Sequence, residues 1–119
     1  MTAQQYQQAS EHFLAQARQE LAAGDLPQAS EKGWGAATQM LKAIAEQRGW
    51  EHNRYRHYHQ AATRLRAETG DGDIRRFFNS ASELHENFYE NDMDAAIVAE
   101  SLDDVEALLN KLRPLLVRT

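Results

Sequence analysis

Residues 26–48 read LPQASEKGWGAATQMLKAIAEQR, and this stretch decides the fold. At about 100° per residue, Leu26, Ala29, Gly33, Trp34, Ala37, Met40, Leu41, Ile44 and Ala45 gather on an arc about 160° wide. Glu31, Lys32, Lys42 and Glu46 fall opposite. This is the period of a helix buried on one side; a strand would alternate apolar and polar residues. Asp25 stands at the N-cap, Gln28 offers the return half of a capping box, and Pro27 suits the first turn. Gly24 suits the left-handed position that closes a preceding helix. Gly33 lies on the buried arc and predicts a close approach by a neighbouring element, whereas Gly35 falls on the outside.

Working outward, the same period predicts a helix over residues 2–23, with Tyr6, Ala9, Phe13, Ala17 and Leu21 on one face. Downstream, Asn53 is expected to cap a helix over 54–68, with Tyr55, Tyr58, Ala62 and Leu65 inward. Asp73 is expected to cap another over 74–90, with Ile74, Phe77, Phe78, Ala81, Leu84 and Phe88 inward. A last helical stretch starts near Asp94, with a break at Ser101, whose spacing to Asp104 resembles a capping box. Val98, Leu102, Val105, Leu109, Leu112 and Leu116 form a seam that suits either a core or a dimer interface. Pro114 ends it. These elements make an all-α antiparallel bundle of four to five helices, one domain over residues 1–119.

Composition agrees. The chain holds 19 Ala, 12 Leu and 10 Gln against 11 Val, Ile and Thr together, a balance that favours helix. With no cysteine, a disulfide scaffold, a Cys-ligated metal and a thiol nucleophile are excluded. The longest stretch without charge, Met1 to Ser10, is polar. It gives neither a membrane span nor a signal peptide, so a cytoplasmic protein is expected. The net charge of −5 is segregated. Arg48, Arg54, Arg56, Arg64, Arg66, Arg75 and Arg76 fall in one segment, and nine acids without a Lys or Arg lie between Glu83 and Glu106. The two segments are expected to attract each other within the bundle or across a dimer. An acidic total argues against specific binding of duplex DNA, while one basic face suits a phosphate or an RNA segment.

Two stretches carry a resemblance: Gly24-Asp25-Leu26-Pro27-Gln28-Ala29-Ser30-Glu31-Lys32-Gly33-Trp34-Gly35-Ala36-Ala37, and Leu84-His85-Glu86-Asn87-Phe88-Tyr89-Glu90. With their spacing and the final Leu-rich helix, they resemble the archaeal PaREP-type family of the HEPN superfamily, over residues 21–116. Gly33 stands where that pattern has a large apolar residue. The resemblance implies a dimerising HEPN-like bundle. The wider superfamily includes nucleotide- or RNA-associated modules encoded beside a minimal nucleotidyltransferase, and some are ribonuclease toxins of toxin–antitoxin pairs. His85, Asn87, Tyr89 and Glu90 belong to the family motif and are read as structural.

The superfamily's ribonucleases pair an Arg with a His that follows a turn or so later. Arg54 and His59 are the match here, as catalytic candidates: His supplies an acid or base near neutral pH and Arg a cation for phosphate. Their five-residue separation places them about 140° apart on a helix. Arg48, Trp50, Arg54, Arg56 and His57 interleave aromatic and basic groups, as a site for a nucleotide or single-stranded RNA does. His52, His57 and His59 lack the spacing of a helical metal site, and neither a metal nor a cofactor is expected. A tetratricopeptide-like reading of Gly24-Asp25-Leu26 fails, because nothing similar recurs about 34 residues later. On the fourth helix, His85 and Tyr89 fall within the apolar arc and are expected to share a buried polar network. The functional expectation is a non-enzymatic, homodimeric binding module for nucleotide or RNA, with a metal-independent ribonuclease as the alternative.

Overall fold

A computed structural model describes residues 1–117; the last two residues of the expected domain, Arg118 and Thr119, lie outside the described residues. The helices are α1 (Ala3–Ala22), α2 (Leu26–Arg48), α3 (Tyr55–Thr69), α4 (Gly72–Glu90) and α5 (Ala95–Leu112), followed by a 3-10 turn at Arg113–Leu115. Contacts between neighbours run in opposite directions. Ser10 reaches Ala36 while Tyr6 meets Lys42, and Tyr55 reaches Ser82 while His59 meets Arg75. Asp71 holds Lys111 while Ser80 holds Asp104. The bundle is antiparallel.

The central helix is α2, because Ala and Gly dominate its surface and let neighbours approach from several sides. Ala29, Ala36, Ala37, Met40, Leu41, Ala43, Ile44 and Ala45 are all buried. A Cβ on Gly33 would stand 2.6 Å from Leu102 Cδ2 and 2.9 Å from Leu84 Cδ1, so this position is closed by α4 and α5. Gly35 is not on an outside face: it receives the Phe13 ring of α1, at 3.4 Å from where its Cβ would be. Buried hydroxyls stitch the helices, with Ser10 Oγ donating to the Ala36 carbonyl at 2.6 Å.

The Leu seam is core. Val98, Leu102, Val105, Leu109 and Leu112, joined by Leu108, are fully or almost fully buried within the chain, so they offer no face to a second copy; Leu116, expected in the seam, lies beyond α5 and is only partly buried against the core. This continuous burial carries α5 straight through Ser101, which is itself buried. No break occurs there, and Asp104 instead accepts from Ser80 Oγ at 2.7 Å.

Two caps differ from expectation. Asp71, not Asp73, caps α4, accepting from the Asp73 N–H at 3.0 Å and holding Lys111 Nζ at 2.7 Å. That bond from Lys111 is the main reason the Asp71 carboxyl sits below the usual range. At α3 the cap position is Arg54 rather than Asn53. The His57 ring does the capping, with Nδ1 accepting from the backbone N–H of both Asn53 and Arg54 at 3.2 Å.

Within the chain, the segregated charges form no ion pair with each other among the described residues. Among the described residues, the acidic segment pairs with Arg18 of α1, through Asp103 at 2.8 Å and Glu106 at 3.7 Å. Arg48 pairs with Glu68 and Arg76 with Asp73, both inside the basic segment. No helix among the described residues is long and apolar enough to cross a membrane.

Candidate functional site

Trp34 of α2 is the anchor where α3 and α4 come together. Its indole is 8 % exposed and lies 5.7 Å from Phe78, 6.0 Å from Tyr58 and 5.6 Å from Tyr55 between ring centroids. His85 of α4 stacks on it at 4.9 Å and 22°. Contacts of this kind contribute about 0.5–1.5 kcal/mol each beyond area burial.

Glu31, three residues before Trp34, projects on the same side of α2, and its Oε1 lies 3.0 Å from His85 Nδ1. A carboxylate only accepts, so Nδ1 carries a proton, and in the neutral ring Nε2 keeps its lone pair. Among the described residues nothing bonds Nε2, it is not one of the buried unpaired atoms, and the His85 side chain is 30 % exposed. Two exposed tyrosines flank this imidazole. Tyr89 is 71 % exposed and edge-on at 5.6 Å; Tyr55 is 50 % exposed and near-parallel at 6.2 Å.

The second histidine is bound differently. Arg75 Nη2 stands 2.9 Å from His59 Nδ1, and Nη1 lies 3.4 Å from the His59 carbonyl. A guanidinium only donates, so His59 Nδ1 must accept and the ring is neutral. Its pKa is lowered, first by burial and then by the positive charge of Arg75. Nε2 is buried without a partner. Tyr55 joins the two histidines: its ring lies 4.6 Å from His59, and its hydroxyl lies 2.6 Å from Ser82 Oγ. Beside them a depression of about 400 Å³ is lined by His59, Gln60, Thr63 and Arg64. A wider cleft of about 1030 Å³, between the start of α1 and the C-terminal turn, contains no histidine; its walls of Gln and Asn amides with Glu46 and Arg113 offer little acid–base chemistry near neutral pH.

Residues 5–109 match the archaeal PaREP1/PaREP8 family. The chain belongs to that family. The match runs from α1 into α5, so every side chain of the Trp34 cluster lies inside the PaREP1/PaREP8 segment. A crystal structure of a protein from Sulfolobus solfataricus has the same fold, with a TM-score of 0.80 and 23% identity over 90% of this chain and 95% of that one. No curated protein matches the chain.

On this PaREP1/PaREP8 bundle the residues singled out in the sequence separate. Arg54 and Arg56 are exposed, and no ion pair engages them among the described residues. Arg54 makes no hydrogen bond to His59; the guanidinium that meets that ring comes from Arg75, on another helix. Trp50 is covered by the chain's own cations, with Arg64 4.1 Å and Arg48 5.3 Å from its ring centre. His57 is buried and committed to capping, and its Nε2 stands 3.2 Å from Glu51 without hydrogen-bond alignment. Tyr55, expected inward, is half-exposed because Trp34 and Phe78 already fill the space beneath it.

His85 and Tyr89 share no buried network; the polar partner of His85 is Glu31. The buried line of α4 runs through Ile74, Phe78, Ala81, Leu84 and Asn87, which leaves His85 at its edge and Tyr89 outside. Asn87 is the buried motif residue: Nδ2 donates to Ser30 Oγ, and Oδ1 accepts from the N–H groups of Asp92 and Met93 at 2.9 Å. Glu90 is exposed. Glu31, Arg75 and Ser82 were not foreseen from the sequence. Glu31 lies only about 60° from Trp34 around the helix, a boundary position that marks it as able to reach a neighbour.

Proposed function

We propose that this chain is a non-enzymatic, HEPN-like binding module whose α3 face holds a phosphate-bearing ligand, a nucleotide or a segment of RNA. One observation carries the reading: Arg54, Arg56 and Arg66 are exposed without acidic partners among the described residues, and the first two bracket the half-exposed Tyr55. Exposed guanidinium groups neutralise phosphate, and an adjacent open aromatic ring gives a base somewhere to rest. Tyr55 takes the stacking role that Trp50, covered by Arg48 and Arg64, does not offer. Titration with a short single-stranded RNA tests it. Affinity falls with salt, and Arg54→Ala with Arg56→Ala reduces the slope of log K against log salt by about 0.7 per arginine. No binding at low salt, or an unchanged slope, removes the proposal.

A second reading is a metal-independent ribonuclease, favoured by the neutral His59 ring held against the Arg75 guanidinium. It requires RNA cleavage in the presence of a chelator that disappears in both His59→Ala and Arg75→Ala, each still folded. Cleavage that persists in either variant ends it.

A further inference from the structure

We infer that the surface formed by His85, Tyr89 and Tyr55 is a base-reading site, taking a planar heteroaromatic ring that carries an N–H donor. The inference rests on the reading of α3 as a phosphate-binding face and adds what that face does not supply, recognition of the base. Three features of the structure converge on one partly exposed imidazole. Glu31 takes the Nδ1–H of His85 at 3.0 Å, so in the neutral ring Nε2 is an acceptor and not a donor. Stacking on Trp34 at 4.9 Å fixes the plane of the ring, so that acceptor has a constant direction. Tyr89 and Tyr55, the two large aromatic side chains left exposed among the described residues, flank the same imidazole at 5.6 and 6.2 Å.

A pair of exposed rings beside an oriented lone pair asks for a ligand with a flat apolar face and an N–H at its edge. Guanidinium and heteroaromatic rings both have that shape. The charges on the two sides of the site point to a ring attached to an anion: Arg54 and Arg56, exposed and next to Tyr55 in the chain, suit an anion on the α3 side, while Glu86 and Glu90 adjoin His85 and Tyr89 on the α4 side, where the uncharged ring would lie. A nucleotide combines the two. Because the neutral His85 ring presents only an acceptor beyond Glu31, a base whose edge offers an amino group is preferred over one whose edge offers acceptors alone.

The test compares three probes on the full chain: adenosine 5′-monophosphate, purine riboside 5′-monophosphate, which lacks the amino group, and ribose 5-phosphate, which lacks the base. The adenine nucleotide is expected to bind at least about tenfold more tightly than ribose 5-phosphate, the scale of one stacked base. The purine analogue should fall between them. Tyr89→Ala, a change at an exposed position, should bring the adenine nucleotide toward ribose 5-phosphate, and His85→Phe, which keeps a ring on Trp34 but removes the acceptor, should bring it down to the purine analogue. Equal affinity of the three probes for the unaltered chain overturns the base site while leaving the phosphate-binding face intact. So does a preference for adenine that survives both substitutions. Free adenosine that shifts the Trp34 and His85 resonances, with ribose 5-phosphate shifting nothing on α3, keeps the base site and ends the phosphate reading instead.

Discussion

His57 accepts two backbone N–H groups with one ring nitrogen, in place of the carboxylate or amide that usually closes the start of a helix. His57→Ala removes the acceptor of both donors at a part-buried helix start and should destabilise the fold by about 0.5–2 kcal/mol, read as a lower urea midpoint. The loss should appear first as fraying of α3, in faster amide exchange at its N-terminal turn. His59 gives a pH dependence of known sign. Its folded pKa lies below the ordinary value, so the unfolded chain binds more protons as the pH drops. This contribution is fully present above about pH 6.5 and is lost progressively as the pH falls from there toward the folded pKa. Urea midpoints should therefore fall less on acidification in His59→Leu than in the unaltered chain. Equal falls would show that another group carries the dependence.

Two glycines in one helix have opposite roles. Gly33 closes against Leu84 and Leu102, whose buried side chains have no room to retreat. Gly33→Ala should destabilise despite the better helix propensity, with overpacking of about 1–3 kcal/mol exceeding a gain of about 1. Gly35 meets the Phe13 ring at ordinary contact distance. Gly35→Ala should be neutral or stabilise by up to about 1 kcal/mol. Thermal melts of the two variants decide both points. The periodicity of α2 placed Gly33 correctly on the arc facing α4 and α5. It could not place Gly35, because α1 packs on the opposite side of the same helix and a single-arc reading assumes one buried side. Caps were legible to within a few residues: Asp25 caps α2 through the Gln28 N–H and Asp94 caps α5 through the Ile97 N–H. Asp71 rather than Asp73 takes the cap of α4, where its second oxygen also holds Lys111, 40 residues away in the chain.

At the scale of the whole molecule, the α5 seam is the test of where the apolar surface goes. Leu109→Ala should cost about 2–5 kcal/mol and leave the oligomeric state, by light scattering, as in the unaltered chain, since the seam is filled from within. A changed mass would show that the seam serves an interface as well. The sequence by itself determined the helices, their approximate ends, the all-α class and the apolar faces, because helix period, caps and Gly breaks act over a few residues. It also singled out His59 and His85 as groups of interest. It did not determine their partners. Arg75 and Glu31 reach them from other helices across 16 and 54 residues, and only packing sets which boundary positions of two helices face each other. The exposure of Tyr55 and Tyr89, the covering of Trp50 by Arg48 and Arg64, and the separation of the acidic and basic segments were likewise decided by tertiary structure. A helical wheel gives the direction of a side chain about its own axis, whereas burial depends on what the neighbouring helices have already filled.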